Sequence, residues 1–198
     1  RDSVLIDSLV YGNRNDRHGV AADKIELDYL HALLAPWLGH SRYWPDGLSG
    51  AVTGLRVGVN DDGSVYRAEG RVEDLDARLV DPSFSLALDR AELSLAGDRL
   101  LVRPSGSATV AIPELYPQPV EFSRLSGTAG WSSGRVELEG FSLRHPEFEA
   151  IVDGAVELSG EEPFVDLVVD LPRLSSQAPR RWLPLRGIGP NTRKWLDE

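Results

Sequence analysis

The sequence predicts a mainly β fold: a curved antiparallel sheet that forms an elongated apolar groove, with a few short helices packed on it. Three observations predict it. Apolar residues recur with period two over most of the 198 residues, the signature of strands whose two faces meet different surroundings. Short turn signals stand between the alternating runs. Only three segments carry helical signals, too few to cover ten or so strands. Residues 1–198 are read as one β-rich segment.

The elements follow in order. Asp28 is placed as the N-cap of a helix near 28–38, through Leu30, Leu33, Leu34 and Trp37, with Pro36 and Gly39 ending it. Tyr66, Ala68, Gly70 and Val72 share one parity and Leu75, Ala77 and Leu79 the other, so a β-bulge is expected near Glu73-Asp74. Three further runs alternate cleanly. Val136 and Leu138 lie between charged neighbours; Phe148, Ala150, Val152, Gly154, Val156 and Leu158 form the second run; Val165, Leu167, Val169 and Leu171 form the third.

Asn60-Asp61-Asp62-Gly63, Ala96-Gly97-Asp98, Ser132-Ser133-Gly134 and Ser159-Gly160-Glu161-Glu162 supply hairpin turns. Connections this short make neighbouring strands antiparallel, because a parallel crossover needs a dozen residues or more. The middle of the chain is therefore a meander. Leu48-Ser49-Gly50, Leu125-Ser126-Gly127 and Leu158-Ser159-Gly160 are read as Gly-punctuated strand starts sharing one turn chemistry. Two more short helices are placed near 176–183, stopped by Pro184, and near 190–197, begun by Pro190.

Composition limits function. The 31 acidic residues outnumber the 21 basic ones, giving a net charge of −10, which disfavours general binding to nucleic acid or to an anionic membrane. There is no cysteine and no methionine, not even at position 1. Disulfides and thiolate chemistry are thereby excluded, and the chain is read as an internal piece of something longer. The longest apolar run, Ala32 to Leu38, falls far short of the roughly 18 to 20 residues of a membrane span.

Motifs for chemistry are sparse, and no enzyme activity is expected. Gly130-Trp131-Ser132-Ser133-Gly134 matches the nucleophile elbow G-x-S-x-G, but the residues after it alternate like a strand instead of opening a helix. A hairpin turn is the expected structure. His18, His31, His40 and His145 show no metal-ligand spacing, so no metal and no cofactor is expected. Asp61-Asp62-Gly63 is read as a tight turn in preference to a calcium loop. Residues 185–194 resemble the hairpin of helix-hairpin-helix DNA-binding modules; the acidic balance and the long β pattern weigh against nucleic acid.

An alternating sheet needs something on its apolar face. Either the sheet folds into a closed sandwich, serving as a structural or protein-interaction module, or it curls into a trough that holds something apolar. Parity selects Val136, Leu138, Val152, Val156, Leu158, Val165, Leu167 and Val169 as groove-facing. In a sandwich the same residues would be core.

The segment Ala178-Pro179-Arg180-Arg181-Trp182-Leu183-Pro184, followed by Ile188 to Leu196 with Trp195, resembles the aromatic-Leu-Pro, Pro-x-x-x-(x)-Trp-Leu segment of YhdP-family proteins of the AsmA-like superfamily. Ala22 to Leu30 is similar to that family's short strand leading into a leucine-rich helix, and Val120 to Gly127 with Trp131 to its strand entry. The resemblance implies transport of phospholipid between the inner and outer membranes of a Gram-negative envelope. Acyl chains would slide along the groove, each buried methylene contributing roughly 0.8 kcal/mol. It also implies a periplasmic location, an inner-membrane anchor outside these residues, and neighbouring segments of the same long chain that extend the groove.

Overall fold

The computed structural model describes residues 6–7, 10–14, 17–38, 44–80, 83–116, 118–159 and 164–175. The predicted helices near 176–183 and 190–197, and the hairpin at 185–194, lie outside the described residues. In chain order the elements are β1 (Ile6–Asp7), β2 (Val10–Arg14), β3 (Arg17–Glu26), α1 (Leu27–Leu38), β4 (Gly47–Asn60), β5 (Val65–Leu79), β6 (Phe84–Ala96), β7 (Arg99–Ala111), β8 (Val120–Ser132), β9 (Arg135–Arg144), β10 (Phe148–Glu157) and β11 (Phe164–Leu174).

All eleven strands belong to one sheet, ordered β1-β3-β4-β5-β6-β7-β8-β9-β10-β11, with β2 also on β3. Every pairing is antiparallel. β1 and β2 lie along the same side of β3 in one register, Asp7 opposite Lys24 and Val10 opposite Ala21. The sheet is an open meander whose edges do not meet. Its strands contact chiefly their sheet neighbours, and α1 packs on β4 and β3. The described residues thus form one layer with a single helix on it, not two facing sheets.

Tight turns take the residues they need. Gly63, Gly97 and Gly134 have φ of 83°, 64° and 79°, which a side chain disfavours. Ser133, at φ 47°, precedes Gly134 in the two-residue turn between β8 and β9, where two successive positive φ values match the strands' twist. The G-x-S-x-G segment is therefore a hairpin.

Bulges cross the sheet in a band. Register shifts fall between Ser49 and Ala51 where β4 meets β5, between Leu88 and Arg90 at β6–β7, and between Gly106 and Ala108 at β7–β8. The band continues between Ser126 and Thr128 at β8–β9, between Val152 and Gly154 at β9–β10, and between Glu149 and Ile151 at β10–β11. The bulge expected at Glu73-Asp74 is one of these, with Asp74 at φ 51°. An extra residue reverses parity, so Val72 and Leu75 share the apolar face across it.

Two expectations need correction here. Gly50 and Gly127 do not start strands: they lie within β4 and β8 at bulges, with φ of 114° and 127°. A Cβ on Gly127 would sit 2.6 Å from the Gly140 carbonyl oxygen of β9, so what these two Leu-Ser-Gly segments share is a bulge and not a turn; Gly160 of the third lies outside the described residues. The second correction concerns α1. It starts at Leu27 and runs through Pro36 to Leu38, and Asp28 lies in its first turn. There the carboxylate accepts from the Tyr29 N–H at 2.7 Å and faces the positive end of the helix dipole.

Amides freed by the bulges find carboxylates on the next strand. Asp89 of β6 accepts from the Ser107 N–H at 2.7 Å and from its hydroxyl at 2.9 Å. Asp153 of β10 accepts from the Gly140 N–H at 2.7 Å. The Ser107 donors hold the Asp89 carboxyl below the ordinary carboxylate range, the backbone N–H contributing most.

Candidate functional site

Residues directly opposite one another in an antiparallel ladder point to the same face. Following the register from edge to edge, Tyr11 stands opposite Val20, Val20 opposite Val57, Val57 opposite Ala68, and Ala68 opposite Leu95. Leu95 then faces Leu100, Leu100 Trp131, Trp131 Val136, Val136 Val156, and Val156 Val165. One apolar row therefore crosses ten strands. At about 4.8 Å per strand it is roughly 43 Å long.

A second row on the same face runs Gly70, Leu93, Val102, Ala129, Leu138, Gly154, Leu167. Beyond it the face is covered. Leu27 and Leu30 of α1 pack with Leu48, Val52, Leu55 and Val72, and Val52 and Val72 are only 4% and 5% exposed. Beside that cluster, Leu88, Ala91, Ala108 and Leu125 form another with Leu75, Val102, Phe141 and Leu143. The long row, by contrast, contains no buried residue: Tyr11, Trp131 and Val165 are exposed and the others half-buried.

The residues selected by parity fall on this apolar side. Val136, Val156 and Val165 are consecutive members of the long row, and Leu138 and Leu167 flank Gly154 in the second. Val152 pairs with Val169 further along, the former buried at 9% and the latter exposed at 53%. Leu158 lies just past the end of β10, half-buried, with its N–H donating to the Gly134 carbonyl at 2.7 Å. Sequence reasoning missed Tyr11, Val20, Val57, Ala68, Leu95, Leu100 and Trp131. Their common face emerges only when the register is known.

The opposite face is charged. Arg56, Glu69, Ser94, Leu101, Gly130, Glu137, Ala155 and Asp166 form the row behind the long apolar one. Glu69 pairs with Arg67 at 2.8 Å and Arg56 at 3.5 Å. Its carboxyl is held below the ordinary range, chiefly by the Arg67 hydrogen bond. Glu137 pairs with Arg99 and Arg135, each at 3.1 Å, and Arg135 also pairs with Glu157. Ala155, in the same row, is 7% exposed and lines a shallow pocket together with Arg99, Arg135 and Glu137.

One polar chain stands at the edge of the apolar face. The Tyr11 hydroxyl meets His18 Nδ1, and His18 Nε2 meets Asp61 Oδ1 at 3.1 Å, linking β2, β3 and the turn after β4. No cluster of histidine, aspartate and glutamate suited to a metal occurs among the described residues. Ser132 and His145 stand at opposite ends of β9, roughly 30 Å apart at 3.4 Å per residue, so His145 is not beside the serine motif. No protein-family model, curated protein or solved structure matches the chain.

Proposed function

We propose that this chain carries phospholipid acyl chains along the apolar face of its sheet, as a segment of a conduit between the two membranes of a Gram-negative envelope. The observation that supports this most is the row from Tyr11 to Val165, which crosses ten strands without a charged residue. A hydrocarbon chain laid across the strands meets Val, Leu, Ala and Trp side chains at every step. Burial against such a surface contributes roughly 25 cal/mol per Å² of apolar area and has no directional requirement. Binding is therefore continuous along the row, and a lipid can move on without leaving a deep polar anchor. Head groups stay in water at the strand ends, where the turns are polar.

The resemblance to YhdP-family proteins supports the same reading, with a periplasmic location and an inner-membrane anchor outside this chain. No helix of the described residues is long and apolar enough to cross a membrane. The role asks for no reaction: the side chains lining the row are aliphatic or aromatic, and transfer needs only their surface.

Site-specific photo-crosslinking tests the reading. A photoreactive residue at Trp131 or Val165, with controls at Glu137 and Asp166 on the charged face, is exposed to vesicles of phosphatidylethanolamine and phosphatidylglycerol. Phospholipid adducts at the first pair alone are expected. Equal labelling of both faces, or adducts at neither in folded protein, overturns it.

A further inference from the structure

The sheet ends in two edges. On one side the edge is formed by β1 and β2, which lie along β3 in a single register, Asp7 opposite Lys24 and Val10 opposite Ala21. On the other side β11 is an unbroken strand of eleven residues that, among the described residues, pairs with β10 alone. Phe164, Val165, Val168, Val169, Leu171 and Leu174 of β11 are all 45% exposed or more. Val165 and Val169 stand on the apolar face, opposite Val156 and Val152, whereas Phe164 and Val168 stand opposite Glu157 and Asp153 on the charged one. A long apolar edge strand left exposed is a template for pairing with another chain.

Strand direction says what fits there. From β2 to β11 the sheet counts ten strands, each antiparallel to the next, so β2 and β11 run in opposite directions. A second copy placed so as to continue the sheet's own twist brings its β2 beside β11 as one more antiparallel neighbour, with the same face up. Tyr11 and Val165 are the two ends of one apolar row, exposed at 63% and 57%, and Val10 beside Tyr11 is exposed at 60%.

We infer that copies of this chain join edge to edge, β11 of one beside β2 of the next, with Val165 opposite Tyr11 so that the apolar row and the charged face both continue across the junction. The contact is heterologous and therefore open-ended. It rests on strand direction and register and is independent of what the apolar face carries. Each copy bears a net charge of −10, so salt, which screens that repulsion, strengthens the association.

The chain has no cysteine, which allows a clean test. Tyr11→Cys and Val165→Cys variants are prepared separately, mixed and treated with a mild oxidant. Cα atoms of an antiparallel cross-strand pair are about 4.5 or 5.5 Å apart, within the span of about 4.4–6.8 Å that a disulfide bridges. The mixed adduct is expected to dominate, and a chain carrying both cysteines should give a ladder of oligomers that collapses on reduction. Dominance of the Val165→Cys homodimer would replace the arrangement with a two-fold β11–β11 pairing. Adducts no more abundant than those of a Ser94→Cys control on the charged face would overturn edge pairing altogether. Sedimentation of the unmodified chain is an independent check: average mass should rise with concentration and with salt, and a Val168→Lys variant should lose the rise. A monomer at all concentrations and salts also overturns it.

Discussion

The apolar face has two regions of similar composition and different fate. Around Val52 and Val72 the side chains are 4% and 5% exposed beneath Leu27 and Leu30 of α1. Along the row from Tyr11 to Val165 the same residue types face outward, with Trp131 exposed at 40%. Neither region is distinguished by the side chains of the sheet itself; a helix lies on one and not on the other. Apolar character in a strand therefore marks a face, and whether that face is core or surface depends on what is laid over it.

Four substitutions break or sharpen this contrast. The largest effect is expected at a position that shapes both regions. Gly127→Val puts a side chain at φ 127° and 2.6 Å from backbone atoms of β9; strain and clash together should cost about 3 kcal/mol or more. Denaturant unfolding checks this, and a midpoint close to that of the parent would show that the bulge relaxes freely. Leu27→Ala removes the helix side chain nearest Val52 and Val72, and a buried leucine truncation should cost about 3 kcal/mol. The same unfolding measurement serves.

Asp89→Ala leaves the Ser107 N–H without its acceptor, a loss of about 1 kcal/mol for an exposed hydrogen bond. Its pH dependence follows from the lowered carboxyl of Asp89. A group whose folded pKa lies below its unfolded value contributes stability above the unfolded pKa, about 3.9 for aspartate. That contribution is lost as pH falls through the lower folded value. Protection of the Ser107 amide, its exchange rate relative to the intrinsic rate at the same pH, should fall on acidification below about pH 4 in the parent, and be low at every pH in the variant. The smallest effect on stability is expected in the open row. Trp131→Ser should change it by no more than about 0.5 kcal/mol, while phospholipid adducts formed from a photoreactive residue at Val165 fall. A loss as large as that of Leu27→Ala would mean that the row is core after all.

Legibility in the sequence followed the bulges. β10 carries no extra residue of its own: the additional residues opposite it belong to β9 and β11, and its alternation from Phe148 to Val156 was the clearest in the chain. In β5 the insertion at Glu73-Asp74 was visible as a parity switch. In β6 the apolar positions Leu86 and Leu88 are followed by Ala91, Leu93 and Leu95, and the three-residue step from Leu88 to Ala91 imitates helical spacing. β6 and β7 were accordingly absent from the runs read as strands. The groove residues showed the same limit: Val136, Val156 and Val165 were legible one strand at a time, whereas Trp131 was hidden within a motif that resembled a nucleophile elbow.

By itself the sequence determined that the chain is a β meander with one apolar face, because period-two alternation and short Gly- and Asp-bearing turns are local properties, set by backbone sterics and side-chain polarity. It also determined where parity reverses in β5. Only the tertiary structure decided the register that joins Tyr11 to Val165 across ten strands, the placing of α1 over Val52 and Val72, and the exposure of β11 on both faces. Register and covering depend on contacts between residues far apart in the chain, and a side chain's own chemistry is the same whether a neighbour lies over it or not.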